Sequence, residues 1–428
     1  MFCHSALKSA RGKSADRLHN WKLPIVPMVA VILVLFAVSP VSAQEVSLEH
    51  ALELFYKNNY DIIINRYEID KARGDYVAAR IVPNPNFSVN YTGVRPGLYR
   101  GDNTQLIYRL DQLIELGGKR GLRIQTATEM LEATRLAHKD TVRTLLIGFY
   151  SNYYELLLYS LSFDLAREQL DRFDRILTIG EKRHAAGFLS LIDFTKLKIA
   201  RIDLENSLTT VDAQYKNDLA IFNLLLGGGG PYKPSKEQMG EGFPTFAEED
   251  LLDIAYDHRY DLLSLQKQFK SAEYAVKLAK AQRIPDITVG GEYGGYGPDM
   301  ASGYGAGVGI NIPIFYRNQG EILRRTAEYD QIRVQIERVR KQIQVDIRQA
   351  LNNYNSANKI YDSYKARRQE LEDLLGNSEK AFSLGGITVL ELLDTHKTYR
   401  EFITKYNQAL IQATLNKDLV KVYTGEIK

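Results

Sequence analysis

The chain has 428 residues, with 55 basic and 52 acidic side chains, seven histidines and one cysteine, Cys3. This length predicts about three domains from the usual domain size, unless internal repeats change that count. Because the one cysteine lies so near the N-terminus, disulfides are excluded from the rest of the chain, which must fold by packing alone.

Residues 1–43 are predicted to form a secretory signal peptide. Five basic residues lead into the uncharged apolar stretch 23–38, and small residues suited to signal peptidase end at Ala43. A retained membrane anchor is the alternative, because the apolar stretch nearly spans a bilayer; we favour cleavage after Ala43. Cleavage removes five basic residues and one acidic residue, leaving 50 against 51. The mature chain therefore gives no electrostatic reason to expect a nucleic acid partner.

Residues 44–226 are predicted to form the first of two structural repeats. Helical spacing of apolar residues runs from 48 to 82 and ends before Pro83. Alternating apolar and polar residues then predict a β-hairpin over 84–116. Its predicted strands are 87–91 and 106–111.

A long helical hairpin over 119–226 completes the first repeat. No proline interrupts the helical pattern from Gly121 to Ile179, and a glycine turn at Gly187 precedes a second helix. About sixty helical residues would reach about 90 Å, far more than a compact domain needs.

Residues 227–246 are predicted to be a linker, and residues 247–428 to be a second repeat with the same order of elements. This repeat contains a β-hairpin at 286–315 and a long helical hairpin at 318–424. Four landmarks recur at offsets of 198 to 202 residues, which is hard to obtain by chance. The pairs are Tyr60 and Tyr260, Pro83 and Pro285, Gly121 and Gly320, and Gly187 and Gly385.

The strands of the second hairpin favour a sheet in a membrane. From Tyr304 to Ile312, apolar residues alternate with glycine or asparagine, which suits a lipid face backed by a narrow interior. Four strands cannot close a barrel, since the smallest bacterial barrel has about eight, and open edges are not tolerated in lipid. Several chains would therefore share one barrel. A soluble periplasmic coiled-coil scaffold is the alternative from another class.

Two helical stretches are predicted to pack against other helices. The apolar stretch 144–163 contains Asn152, Glu155 and several hydroxyl side chains, which favours burial over membrane crossing. Apolar residues in steps of three and four from Ile332 to Tyr364 predict a coiled-coil seam.

Catalytic chemistry is not indicated by the sequence. The five histidines after residue 43 are not paired at ligand spacing, and no nucleophile elbow, phosphate loop or zinc-protease motif occurs. We therefore expect a protein that is not an enzyme and that has no cofactor and no resident metal.

Two motifs accompany the repeated order of elements. They are Leu116-Gly-Gly-Lys-Arg-Gly121 and Ile312-Pro-Ile-Phe-Tyr-Arg-Asn-Gln-Gly320. In the order of its elements and in these motifs, the chain from about Leu48 to Gly425 resembles the TolC family of outer membrane efflux proteins. The second motif is most similar to the CzcC/CusC-like subgroup, whose members are the outer membrane partners of heavy-metal resistance pumps.

The resemblance implies a mixed α and β membrane protein of the Gram-negative outer membrane. It would be a homotrimer with a shared twelve-stranded β-barrel in lipid and a periplasmic tunnel of coiled helices. It would dock onto a periplasmic adaptor protein and so connect indirectly to an inner-membrane pump of the resistance-nodulation-division (RND) type. The expected function is a passive exit duct for heavy-metal cations. A duct for drugs or type I secretion substrates is the alternative within the family.

The turn at Gly385 matches the periplasmic tip of this family, where two acids on an inner helix ring the closed pore. Glu391 and Asp394 match those acids, and Asp193 matches the partner acid of the first hairpin. The resemblance thus implies a periplasmic gate formed by these three carboxylates. For Asp193, a solvated carboxylate at a helix start is an equal alternative.

This chain departs from the family pattern at two gate positions. Ile387 stands where an arginine can hold the gate, and Phe382 stands where a tyrosine hydroxyl can. The bridges that lock that gate are therefore not expected in this chain.

The two tip turns are also the expected adaptor contact, because glycine permits a close approach and an exposed apolar residue suits docking. The alternative is that Phe188 and Ile387 pack under their turns as helix-end staples. The residues of the expected contact are Gly187, Phe188, Leu189, Ser190, Gly385, Gly386, Ile387 and Thr388.

Overall fold

The computed structural model describes residues 44–93, 105–236, 239, 242–296 and 301–426. The expected signal peptide, residues 1–43, lies outside these ranges. In chain order the elements are β1 (Gln44–Val46), α1 (Leu48–Asn58), α2 (Tyr60–Arg80), β2 (Asn86–Thr92), β3 (Gln105–Ile114), α3 (Lys119–Ala185), α4 (Leu191–Leu225), β4 (Tyr232–Pro234), α5 (Glu248–His258), α6 (Tyr260–Ala281), β5 (Ile287–Tyr296), β6 (Ala301–Ile310), α7 (Gln319–Lys365), α8 (Arg368–Leu384) and α9 (Val389–Thr424).

The first predicted helix is interrupted at Asn59, so the expectation of one continuous helix over 48–82 was wrong. Asn59 has extended backbone angles, and its side chain accepts hydrogen bonds from the amides of Asp61 and Ile62. Its amide group donates to the carbonyl of Leu225 at 3.0 Å. Asn59 thereby caps α2 and fixes the end of α4, which apolar periodicity alone does not reveal.

The helix α3 is the longest element of the described chain. Its 67 residues correspond to about 100 Å. It packs along α2, α4, α6 and α9. It begins after Gly118, which has a φ of +70°, a conformation that glycine adopts without strain.

The stretch 144–163 lies inside the main hydrophobic cluster, as the sequence predicted. Phe149, Leu156 and Leu157 are almost fully buried and pack with Phe55 of α1 and Phe222 of α4. Among the described residues, no helix combines the length and the apolar character that a membrane crossing requires.

The predicted seam of the second helical hairpin is present along much of α7, where Ile343, Ile347 and Tyr354 are buried. The first arm of this hairpin consists of two helices, because α7 ends at Lys365 and α8 begins at Arg368. The predicted hairpin thus consists of three helices.

Four strands form one antiparallel sheet in the order β2-β3-β5-β6. All four strands lie within the two predicted hairpins, but β6 ends at Ile310, two residues before the predicted Ile312. A second, two-stranded sheet pairs β1 with β4 in parallel, and Gln44 lies opposite Tyr232. The segment expected to be a linker therefore contains a short strand that the sequence reasoning did not anticipate.

Candidate functional site

Two turns, 186–190 between α3 and α4 and 385–388 between α8 and α9, form the candidate tip. Gly187 and Gly385 have φ values of +78° and +83°, which L side chains rarely adopt. The Phe188 amide donates to the Arg183 carbonyl at 2.8 Å, and the Gly386 amide donates to the Ala381 carbonyl at 2.8 Å. Both helices therefore end in the same glycine-dependent cap.

Beneath the turns, one hydrophobic cluster joins the two hairpins. It combines side chains of α3, α4, α8 and α9, so neither turn is supported by its own helices alone. Its buried members are Phe173, Ile176, Leu197, Leu204, Phe382, Val389 and Leu392.

Glu391 is the third residue of α9 and belongs to a capping box. The Thr388 amide donates to Glu391 Oε2 at 2.8 Å, and the Glu391 amide donates to Thr388 Oγ1 at 3.2 Å. These hydrogen bonds from the Thr388 backbone and hydroxyl hold the pKa of the Glu391 carboxyl below its ordinary value. Glu391 and Asp394 are both exposed, and their spacing of three residues places them on the same face of α9.

Asp193 occupies the equivalent place at the start of α4. Ser190 Oγ donates to Asp193 Oδ2 at 2.8 Å, and Lys196 Nζ lies 3.1 Å from Asp193 Oδ1. The Ser190 hydroxyl and the Lys196 ammonium lower the pKa of the carboxyl. All these partners belong to the same helix start, so the contacts in one chain are those of a cap.

The apolar residues of the turns have two different environments. The side chain of Phe188 is 78% exposed. Leu189 and Ile387 are half-buried and pack against the cluster beneath the turns. The staple alternative therefore describes Ile387 and not Phe188.

Further apolar side chains are exposed at the tip and were not predicted from the sequence. They lie at the start of α4, the end of α8 and the start of α9. They are Leu191, Ile192, Leu384 and Leu390, each at least 67% exposed.

Arg183 links the two hairpins, and the sequence analysis did not predict this role. Its Nη1 donates to the carbonyl oxygen of Phe382 at 2.5 Å, and its guanidinium carbon lies 4.9 Å from the centre of the Phe382 ring. Phe382 is fully buried. An arginine near the end of α3 was the available signal, but its partner is 199 residues away.

A buried polar group lies between α3, α8 and α9, further from the turns. His396 Nδ1 is 3.4 Å from Gln169 Oε1, and His396 Nε2 is 3.5 Å from Glu379 Oε1. Burial, together with the charges of Arg172 and Arg400, lowers the pKa of His396 to about 4. Burial raises the pKa of Glu379. The histidine that appeared isolated in the sequence thus has an acid beside it.

In the described ranges, no group of three or more histidine, cysteine, aspartate or glutamate side chains is arranged to hold a metal ion.

The chain is similar to known outer membrane efflux proteins. The family described as "Outer membrane efflux protein" matches residues 51–228 and 251–418. CzcC, the cobalt-zinc-cadmium resistance protein of Cupriavidus metallidurans, is 24% identical over 377 residues, which are 85% of this chain and 86% of CzcC. OpmQ, the pyoverdine export outer membrane protein of Pseudomonas aeruginosa, is 23% identical over 305 residues, which are 67% of this chain and 62% of OpmQ.

The fold is also that of a solved structure. CusC, whose structures concern folding and transmembrane channel formation, matches with a TM-score of 0.75 and 16% identity, over 88% of this chain and 91% of CusC. Because the two family matches cover most of the sequence, the chain belongs to the outer membrane efflux protein family, a family of transport channels rather than of enzymes.

Proposed function

We propose that this protein is the outer membrane duct of a tripartite efflux system and that it acts passively, as a homotrimer. The observation that carries the proposal is a four-stranded sheet joined to long helices, of which α3 is about 100 Å long. The sheet has apolar side chains exposed on one face, as with Tyr304 and Val308. Such a face suits lipid, and the long helices suit a tunnel across the periplasm.

The edges of the sheet require several copies of the chain, and the number three comes from the resemblance to the family. In the described chain, β2 and β6 are the outer strands of the four. Unpaired strand edges are not tolerated in lipid, so β2 of one copy must pair with β6 of the next. Three copies would close a twelve-stranded barrel. The two family matches support a further proposal, that the chain is an internal duplication with repeats 44–226 and 247–428 joined by 227–246.

We place the adaptor contact and the gate at the tip. Phe188 and the exposed apolar residues around it form a surface that suits a protein partner, and a periplasmic adaptor is the partner proposed. Asp193, Glu391 and Asp394 are the proposed gate carboxylates. In a trimer, copies of Glu391 and Asp394 would surround one axis and attract cations.

The proposed cargo is heavy-metal cations delivered by an RND pump. The similarity to CzcC over most of both chains supports this assignment. The second candidate is export of an organic compound, which the similarity to OpmQ supports. Drugs and type I secretion substrates belong to the same candidate class.

The architecture is tested by fractionation and electrophoresis of the full chain. We expect trimers in the outer membrane fraction that withstand detergent and dissociate on heating. A soluble periplasmic monomer would overturn the duct and favour the coiled-coil scaffold.

The cargo is tested by deleting the gene from its host. We expect lower tolerance of cobalt, zinc and cadmium and more cell-associated metal by mass spectrometry. Unchanged metal tolerance with loss of export of an organic compound would support the second candidate instead.

A further inference from the structure

One face of the four-stranded sheet carries a row of polar side chains that ends at a glycine. Arg109 of β3 lies opposite Ser88 of β2 and opposite Glu292 of β5, and Glu292 lies opposite Gly305 of β6. Residues directly opposite one another on neighbouring strands share a face of the sheet. The row therefore crosses all four strands.

The adjacent row lies on the other face and is apolar. Tyr108 pairs with Val89 and with Tyr293, and Tyr293 pairs with Tyr304. These side chains are 42% to 94% exposed. In a barrel the apolar face meets lipid, so the row with Arg109 and Glu292 faces the aqueous interior.

Glycines give the charged side chains room to lie flat on the inner face. A Cβ at Gly290 would be 1.9 Å from Asp111 Oδ1, and a Cβ at Gly305 would be 3.2 Å from Glu292 Cγ and Oε1. The charged groups are therefore held against the wall, in a defined place, instead of extending freely into the water.

The charges in this group do not cancel equally. Arg109 Nε donates to both carboxylate oxygens of Asp111, at 3.0 and 2.9 Å. Its Nη1 is 3.6 Å from Glu292 Oε2, and the Glu292 side chain is 33% exposed against 17% for Asp111. Arg109 thus compensates Asp111 more closely, and one net negative charge per chain remains, centred on Glu292.

We infer that Glu292 is a specificity-determining residue, and that three copies of its carboxylate favour cations inside the barrel. This inference rests on the proposed trimeric duct. Carboxylate rings raise the local concentration of cations in a pore, and charges on the lumen wall tune barrel selectivity. The ion selectivity at the barrel end of the duct would then be set by Glu292, independently of the carboxylates at the tip.

The test is the reversal potential of the purified full chain in planar lipid bilayers under a KCl gradient. We expect a cation-selective wild type and, for Glu292→Gln, a fall of about threefold in the K⁺/Cl⁻ permeability ratio, because one negative charge per chain is removed from the lumen wall. Glu292→Asp keeps the charge and is the matched control. Arg109→Gln should raise the ratio.

Gel electrophoresis is the control for assembly, and each variant must run as a trimer. A Glu292→Gln channel with normal conductance and the wild-type permeability ratio would overturn the inference and leave the duct intact. A wild-type trimer that forms no channel would overturn the proposed function and this inference together.

Discussion

Arg183 Nη1 lies 2.5 Å from the carbonyl oxygen of Phe382, and this contact joins helices that are far apart in sequence. It closes the tip of one chain across its two hairpins. The Phe382 ring beneath the guanidinium has no hydroxyl, and Arg183 bonds to the main-chain carbonyl of the same residue.

Replacing Arg183 should loosen the tip. Arg183→Ala removes a hydrogen bond from a charged donor and the contact with the Phe382 ring, at a cost of about 2 kcal/mol. We expect higher single-channel conductance in planar bilayers and faster hydrogen exchange at residues 385–388. Arg183→Lys keeps the charge without the planar donor and should be intermediate. Wild-type exchange and conductance in Arg183→Ala would contradict a linking role.

The proposed gate role of Glu391 and Asp394 can be tested without breaking the helix cap. Glu391→Gln keeps a side chain able to complete the capping box, and Asp394→Asn keeps the shape of Asp394. The double variant should raise conductance and weaken block by divalent cations in planar bilayers. Because the pKa of Glu391 is lowered by the hydrogen bonds from Thr388, its part of the block should persist to a lower pH than that of a glutamate without these bonds. Unchanged conductance and block would remove both acids from the gate.

His396 should make stability depend on pH. Its pKa is about 4 in the folded chain and about 6.5 when unfolded, so the unfolded state binds the extra proton between these values. Stability should therefore fall between pH 7 and pH 4, by at most about 3 kcal/mol per chain. Glu379, whose pKa is raised, acts in the opposite direction and reduces this loss.

The measurement is the temperature of trimer dissociation from pH 4 to pH 7. His396→Gln should flatten the dependence, and His50→Gln, at an exposed position, should not. If the dissociation temperature of His396→Gln still depends on pH, the dependence belongs to other groups.

Two glycines of β5 offer a matched pair of substitutions. A Cβ at Gly294 would lie 2.5 Å from the carbonyl oxygen of Leu106, whereas a Cβ at Gly291 has its nearest neighbour at 3.9 Å. Gly294→Ala should cost about 1 to 3 kcal/mol through overpacking and lower the dissociation temperature of the trimer. Gly291→Ala should have little effect. Equal effects of the two would show that backbone contact at Gly294 is unimportant.

The tip contact is tested by photo-crosslinking from single positions. A crosslinker at Phe188, which is exposed, should capture a co-expressed adaptor, and Phe188→Ala should weaken docking without changing trimer stability. Ile387→Ala should act mainly on stability, because Ile387 packs on the cluster beneath the turn. Capture from position 387 alone would reverse this assignment.

Element type and order were predictable because glycine, proline and periodicity act locally. The turns at Gly187 and Gly385 are examples, since each needs a positive φ. The break at Asn59 was not predictable, because it depends on a buried amide bonding to Leu225. Arg183 was missed for the same reason: which side chains meet across 199 residues depends on packing that a local pattern does not contain.

The break between α7 and α8 makes this arm of the second hairpin less stiff than α3, the corresponding arm of the first hairpin. α3 continues as hydrogen-bonded helix for 67 residues, whereas α8 is a separate rod of 17 residues. Helix ends absorb backbone rotation at far lower cost than helix interiors. Backbone rotation at residues 366–367 would therefore move α8 against α3, and both the Arg183–Phe382 contact and the Arg172–Glu379 ion pair would resist it.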